Sequence, residues 1–213
     1  MDTIKSKYHE TLAATVIKNL EKRQMEGYYC PTVEDAEKLA FSFLKDGQTV
    51  SFGGSMTLEE TGMLTALRHD PSIHLIDRST AKTPDETKKM YHDALSSDVY
   101  FMSTNAITTG GELVNIDGTG NRVAALIYGP ETVVILAGMN KIAANVDEAL
   151  SRVHNVATAQ NCIRLDKKTP CAITGACADC LSPDCICNQV VITRRSGNKG
   201  RIKVLLIGES FGY

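Results

Sequence analysis

The sequence has no apolar run long enough to span a bilayer. The longest runs, such as 133–138 and 204–208, fall far short of the roughly 20 residues a crossing helix needs. It has no excess of either charge: 23 Lys and Arg stand against 25 Asp and Glu, mixed along the chain, for a net charge of −2. That leaves no basic face to grip a phosphate backbone, and nucleic acid is excluded as an expected partner. The first stretch, MDTIKSKYHETLAATVIKNLEKR, is charged throughout and lacks the apolar core of a secretory signal. No long linker, internal repeat or low-complexity tract occurs, and neither does G-x-G-x-x-G or a Walker loop. The histidines at 9, 69, 74, 92 and 154 show no ligand spacing, and no Ser-His-Asp arrangement can be argued. Together these absences predict a soluble, cytoplasmic protein without a membrane partner and without a standard dinucleotide or ATP site.

What is present is enough apolar residue for one sizeable core: 43% of 213 residues, which predicts a single domain over 1–213. Ile4, Tyr8, Leu12, Val16 and Leu20 recur at helical spacing and predict a helix over about 3–26, closed by Gly27. A helix placed there often packs on a sheet edge or on another subunit, and a homo-oligomer is expected. Thr32 with Asp35 opens a second helix, Thr57 with Glu60 a third, and Thr83-Pro84 with Glu86 a fourth that runs to about Leu95. Apolar runs bounded by turn residues predict strands at 49–52, 73–77, 98–102 and 132–137. Two hairpins are expected, one pairing 112–117 with 122–128 and one pairing 189–194 with 201–207. A helix is expected over about 145–165, followed by a Cys-rich loop over about 166–188. The alternation of strands and helices predicts an α/β layered, Rossmann-like fold with a mixed, mostly parallel sheet.

The chemistry concentrates in residues 104–142, where three apolar runs enclose a few polar residues. Polar residues at strand ends are where α/β sheets place ligands. Asn105 ends one strand; it could contact a ligand or cap a turn. Asp117-Gly118-Thr119-Gly120-Asn121-Arg122 has the composition of a turn, but a turn does not require a guanidinium. Arg122 could pair with an anion or with Asp117. Lys141 follows an apolar strand and lies near the sheet's carboxyl edge. Earlier, Gly53-Gly54-Ser55 joins a strand to a helix. Its two glycines allow close backbone approach, and the amides and hydroxyl could hold a phosphate or carboxylate. A tight strand-to-helix turn would use the same residues.

Five thiols, Cys171, Cys177, Cys180, Cys185 and Cys187, fall within 17 positions. In a reduced compartment such clustering points to metal more than to disulfides. Cys177-x2-Cys180 is a spacing at which two thiolates grip one ion, but no standard four-ligand pattern for zinc or a [4Fe–4S] cluster is complete. A cysteine-rich loop without metal is the other reading.

Several of these motifs together resemble the lactate-utilisation (LUD) domain family. They are SFGGS at 51–55, NAIT..G.LVN.DG.GNRVAA...GP..V..LAG.NKI at 105–142, and PC.....C..C.SP..ICN at 170–188. The resemblance implies a sheet related to the ribose-phosphate isomerase and CoA-transferase superfamily. It implies a connection with the oxidation of lactate to pyruvate, usually as one subunit beside iron–sulfur partners. It favours Cys171, Cys177, Cys180 and Cys187 as the ligand set, with Cys185 spare, and, if a metal is held, an iron–sulfur cluster slightly ahead of zinc; no metal is the alternative. The ligand expected at Gly53, Gly54, Ser55, Asn105, Asp117, Gly118, Gly120, Asn121, Arg122 and Lys141 is a small anion: a carboxylate, a phosphate or a CoA-like group. Two other functions stand beside this one. One is an isomerase or transferase acting on a phosphorylated sugar or CoA ester. The other is a non-catalytic iron–sulfur or assembly subunit of a redox complex. Whether the protein is an enzyme is left open by the residues.

Overall fold

Strands that are apolar on both faces need cover on both faces, and here helices supply it. The computed structural model describes residues 3–213. Its strands are β1 (Glu26–Cys30), β2 (Thr49–Phe52), β3 (His74–Ile76), β4 (Val99–Met102), β5 (Ala106–Thr108), β6 (Leu113–Asp117), β7 (Thr132–Gly138), β8 (Ile142–Ala143), β9 (Gln189–Thr193) and β10 (Ile202–Ile207). Its α-helices are α1 (Thr3–Lys22), α2 (Val33–Phe41), α3 (Met56–Glu60), α4 (Met63–His69), α5 (Pro84–Leu95), α6 (Asn121–Ile127), α7 (Val146–Arg152), α8 (Ala159–Arg164) and α9 (Pro170–Thr174). A π-helical turn at Val153–Thr158 joins α7 to α8, so 146–164 forms one continuous rod.

Six strands form a parallel sheet in the order β1-β10-β7-β4-β2-β3. Side chains alternate between its faces. Tyr100, Met102, Val133, Ile135, Val204 and Leu206 meet Ala13, Val16 and Leu20 of α1 and Leu126 of α6. Phe101, Val134, Leu136 and Leu205 meet Ala36 and Ala40 of α2 and Leu58, Met63 and Leu67 of α3 and α4. The chain is therefore a layered, Rossmann-like α/β fold. A second sheet, β8-β5-β6-β9, packs against α7 and the π turn through Ala106, Val114, Ala149 and Val153. Among the described residues no helix is long and apolar enough to cross a membrane.

Four expectations are corrected. First, the opening helix stops at Lys22, because Gln24 takes a left-handed conformation (φ 61°), and 26–30 becomes edge strand β1. Gly27 lies in that strand, where an added Cβ would sit 2.9 Å from Ile17 Cγ1; glycine lets α1 cross the strand closely. Second, Ser55, not Thr57, caps the helix after β2, its Oγ accepting from Leu58 N at 3.3 Å. Third, 122–128 is not the return strand of a hairpin. It is α6, entered through left-handed Gly120 (φ 92°) and closed by Arg201, which donates to the carbonyls of Ala125, Leu126 and Pro130. A short apolar run cannot be told from a buried helix by periodicity alone. Fourth, β9 and β10 do not form a hairpin. β9 pairs antiparallel with β6, whereas β10 inserts between β1 and β7. Burial explains the split, since β10 is covered on both faces and β9 on alternate residues only.

Candidate functional site

The chain runs outward from β2 to β3, then returns to β4 on the other side of β2. A reversal of this kind opens a crevice beyond the carboxyl ends of parallel strands. Gly53–Ser55 follows β2, Ser103–Asn105 follows β4, and Lys141 follows β7, so all three segments reach the same edge. A cleft of about 550 Å³ lies there. Its walls include Gly54, Ser55, Asn105, Asp117, Gly118, Asn121, Arg122 and Lys141 from the expected set. Gly53 and Gly120 stand just behind the wall: Gly53 N donates to Phe101 O at 2.9 Å, and Gly120 N to Asp117 Oδ1 at 2.7 Å.

Arg122 is wholly engaged by the protein. Its Nε donates to Asp117 Oδ2 (3.0 Å). Nη1 donates to Ser103 O (3.2 Å) and Asn115 Oδ1 (2.7 Å), and Nη2 to Asn105 Oδ1 (3.0 Å) and Ile116 O (2.9 Å). Five N–H groups thus meet five acceptors, which uses the full donor capacity of a guanidinium. Of the two partners the sequence left open, Arg122 takes Asp117. Asp117 Oδ1 is occupied as well, by the amides of Thr119 and Gly120. Asn105 accepts from both Arg122 and Ile116 N (3.0 Å), and therefore acts here as a brace between β6 and α6.

One cation with capacity to spare is a residue that sequence spacing did not single out. Arg78 follows β3 on a 3-10 turn, whose second amide, at Ser79, is held by Asp77 Oδ1 at 2.8 Å. Asp77 is fixed in turn by Arg68 Nε at 2.8 Å. Among the described residues the one hydrogen bond of the Arg78 guanidinium is Nη1 to the Tyr91 hydroxyl (3.3 Å), with the ring 5.6 Å away. Gly54 makes room for it: a Cβ there would lie 2.2 Å from Arg78 Nη2. Arg164 and Lys167 line the same cleft. The signals that could have pointed to Arg78 are the Gly54 gap and the Asp77 turn, and both need the third dimension to be seen.

Lys141 lies at the floor with 4% of its surface exposed. Its Nζ donates to Thr57 Oγ1 (2.8 Å) and Ser103 Oγ (3.0 Å). Burial, reinforced by the nearby Arg152 and Arg122, lowers its pKa to about 7, against a smaller opposing effect of Glu60. Glu60 accepts from Gly212 N at 2.6 Å, and Glu112 is bonded to Arg23 and Thr108, so neither carboxylate is aimed into the cleft.

The Cys segment closes one side of the cleft through Cys185 and Ile186. It does not gather Cys171, Cys177, Cys180 and Cys187. Cys171 packs in the core beside Cys162, a thiol outside the expected set. Cys177 turns to His154 Nδ1 at 3.6 Å, Cys180 to Ser182 Oγ at 3.6 Å, and Cys187 to Thr158 Oγ1 at 3.8 Å. Among the described residues no group of three or more His, Cys, Asp or Glu side chains converges on a metal position. The thiols pair with one another in part, Cys162 with Cys171 and Cys185 with both Cys180 and Cys187. Ordinary hydrogen bonds hold the segment: Lys168 N to Asp184 Oδ2 (2.9 Å), Cys177 N to Asn155 Oδ1 (3.2 Å) and Asn188 N to Asp117 O (3.0 Å). EDTA and phenanthroline are accordingly expected to leave the unfolding temperature unchanged. A drop of several degrees on chelation would mean that bound metal folds this loop.

Three comparisons bear on this geometry. The sequence profile of a family described as the LUD domain matches residues 13–207. No curated protein matches the sequence. Among solved structures, a DUF162-family protein from Deinococcus radiodurans aligns with a TM-score of 0.53 and 10% identity, over 93% of this chain and 98% of that one. eIF2B delta from Chaetomium thermophilum aligns at a TM-score of 0.34 and 20% identity, over 52% of this chain and 48% of that one.

Proposed function

The chain belongs to the LUD-domain family, which is linked to lactate utilisation, and we propose that its cleft binds a small carboxylate or phosphate in connection with lactate oxidation to pyruvate. The observation that carries this reading is the imbalance of charge in the cleft. Arg78, Arg164 and Lys167 line it as cations, whereas of its two carboxylates Asp117 is paired with Arg122 and Asp184 has one oxygen on Lys168 N. Concave walls of one sign raise the local concentration of the opposite ion.

Arg78 is the principal anchor of this site. Its planar fork can meet two oxygens of a carboxylate or phosphate at once. Calorimetric titration with lactate, pyruvate and inorganic phosphate tests the reading. At least one of them is expected to bind the parent protein, and Arg78→Ala is expected to weaken that binding by about 1.5–3 kcal/mol, the range for a hydrogen bond to a charged group. The fold should be unaffected, because Arg78 contacts little beyond Tyr91. No binding of any of the three, or equal binding by Arg78→Ala, would remove the anion site.

A further inference from the structure

The mechanism of anion capture leaves one feature of the cleft unused, which is the amine at its floor. Buried lysines are ordinarily found with a carboxylate, since an ammonium alone in a dry site is costly. Lys141 takes part in none of the ion pairs among the described residues, and both of its acceptors are hydroxyls. The nearest elements add positive charge, Arg122 from α6 and Arg152 from α7, against a weaker negative contribution from Glu60 of α3. The segment after β10 covers it: Phe211 O accepts from Thr57 Oγ1 (3.3 Å), and Asn140 grips both Phe211 N and Gly212 O. A Cβ on Gly212 would fall 2.5 Å from Thr57 Oγ1 and 3.3 Å from Lys141 Nζ. This amine is therefore held on two hydroxyls, shielded on one side, and open to the cleft on the other.

A desolvated amine without a counter-ion keeps its lone pair, and its natural reaction partner is a carbonyl carbon. We infer that Lys141 is a nucleophile that forms a reversible imine with a carbonyl compound carrying an anionic group, held in the same cleft as Arg78. The inference rests on the anion-binding reading and assigns it a substrate class. In the step, the Nζ lone pair attacks the carbonyl carbon and the C=O π bond opens to a carbinolamine. Its hydroxyl then departs as water, taking up a proton, while C=N forms. The nitrogen gives up its protons in the process; no oxidant or reductant is required, and water reverses the step. Ser103 and Thr57, as hydroxyls, can orient the amine before attack and carry a proton to or from it.

Reductive trapping on the unmodified protein tests this without relying on a variant that must fold. Glyoxylate, pyruvate and dihydroxyacetone phosphate serve as anionic carbonyl probes and formaldehyde as a neutral one, each with cyanoborohydride, followed by peptide mapping. The expected result is that at least one anionic probe labels Lys141 at least tenfold faster than any other lysine. Inorganic phosphate should protect Lys141, and Arg78→Ala should slow the anionic probe but not formaldehyde. Anion binding by calorimetry without preferential labelling of Lys141 would overturn the inference and leave the anion site standing. Labelling by formaldehyde with no advantage for any anionic carbonyl would overturn the assigned substrate class, while the calorimetric titration alone decides the anion site.

Discussion

Replacing Arg122 by alanine is expected to destabilise the protein by about 3–5 kcal/mol, the cost of breaking a buried ion pair from one side. The guanidinium ties α6 to β6 and to the segment after β4, through one carboxylate, two amide oxygens and two carbonyls. Without it Asp117, 8% exposed, keeps two backbone amides and loses its counter-ion. The carbonyls of Ser103 and Ile116 lose the side-chain donor as well. Arg122→Lys should recover only part of the loss, because three donors on a point charge cannot reach acceptors spread around a planar fork. Denaturant titration measures it. A loss under about 1 kcal/mol, typical of an exposed pair, would mean the network does not hold these elements together.

Lys141→Met is expected to change the pH dependence of stability more than any other single substitution in the cleft. The folded-state pKa of about 7 lies below the ordinary value of 10.5. Between those values the unfolded chain binds a proton that the folded chain does not, so this group makes stability rise with pH across that window. Below about 7 the buried ammonium exerts its full penalty. The slope cannot exceed about 1.4 kcal/mol per pH unit for one group. Methionine has similar length, carries no charge and adapts to the cavity, so the variant should lose the slope and gain stability at pH below 7. Two orphaned hydroxyls, at Thr57 and Ser103, work against that gain by about 1 kcal/mol each. Cys30 and Cys187, raised by burial to about 11 and about 12, oppose the trend at alkaline pH in both proteins. The difference between parent and variant therefore isolates the lysine. Identical pH profiles for the two proteins between pH 6 and 9 would refute the depressed pKa.

How much of this was legible in the residues varies by element. Strands β2, β4 and β7 were, because each is a short apolar run between turn residues. The caps at Thr32 and Thr83 were, because capping is local: each side chain bonds an amide three residues on. α6 was not, because NRVAALI is as apolar as a strand. Its helical state is secured by Gly120 at one end and by Arg201, far along the chain, at the other. β1 was not, because EGYYC has no alternation, and its pairing with β10 spans almost the whole chain.

The same division holds for the site. The sequence by itself determined the fold class, the family resemblance, and the set of turns from which a cleft could be built, since these depend on spacing along the chain. Only the tertiary structure decided which polar groups remain available in that cleft. Arg122 looked like the anion ligand, but acceptors from β6 and from the segment between β4 and β5 come within 3.2 Å and use every N–H it has. Arg78 carried no motif, yet it is left in the cleft with one weak partner. Lys141, placed by the sequence only near the sheet's carboxyl edge, is a buried amine because α3, the β4 loop and the segment after β10 close around it. The thiols that the resemblance grouped as one set divide among different partners: Cys171 beside Cys162, Cys180 and Cys187 against Cys185, and Cys177 against His154. Donor availability is a property of contacts between residues distant in sequence, and no local pattern encodes it.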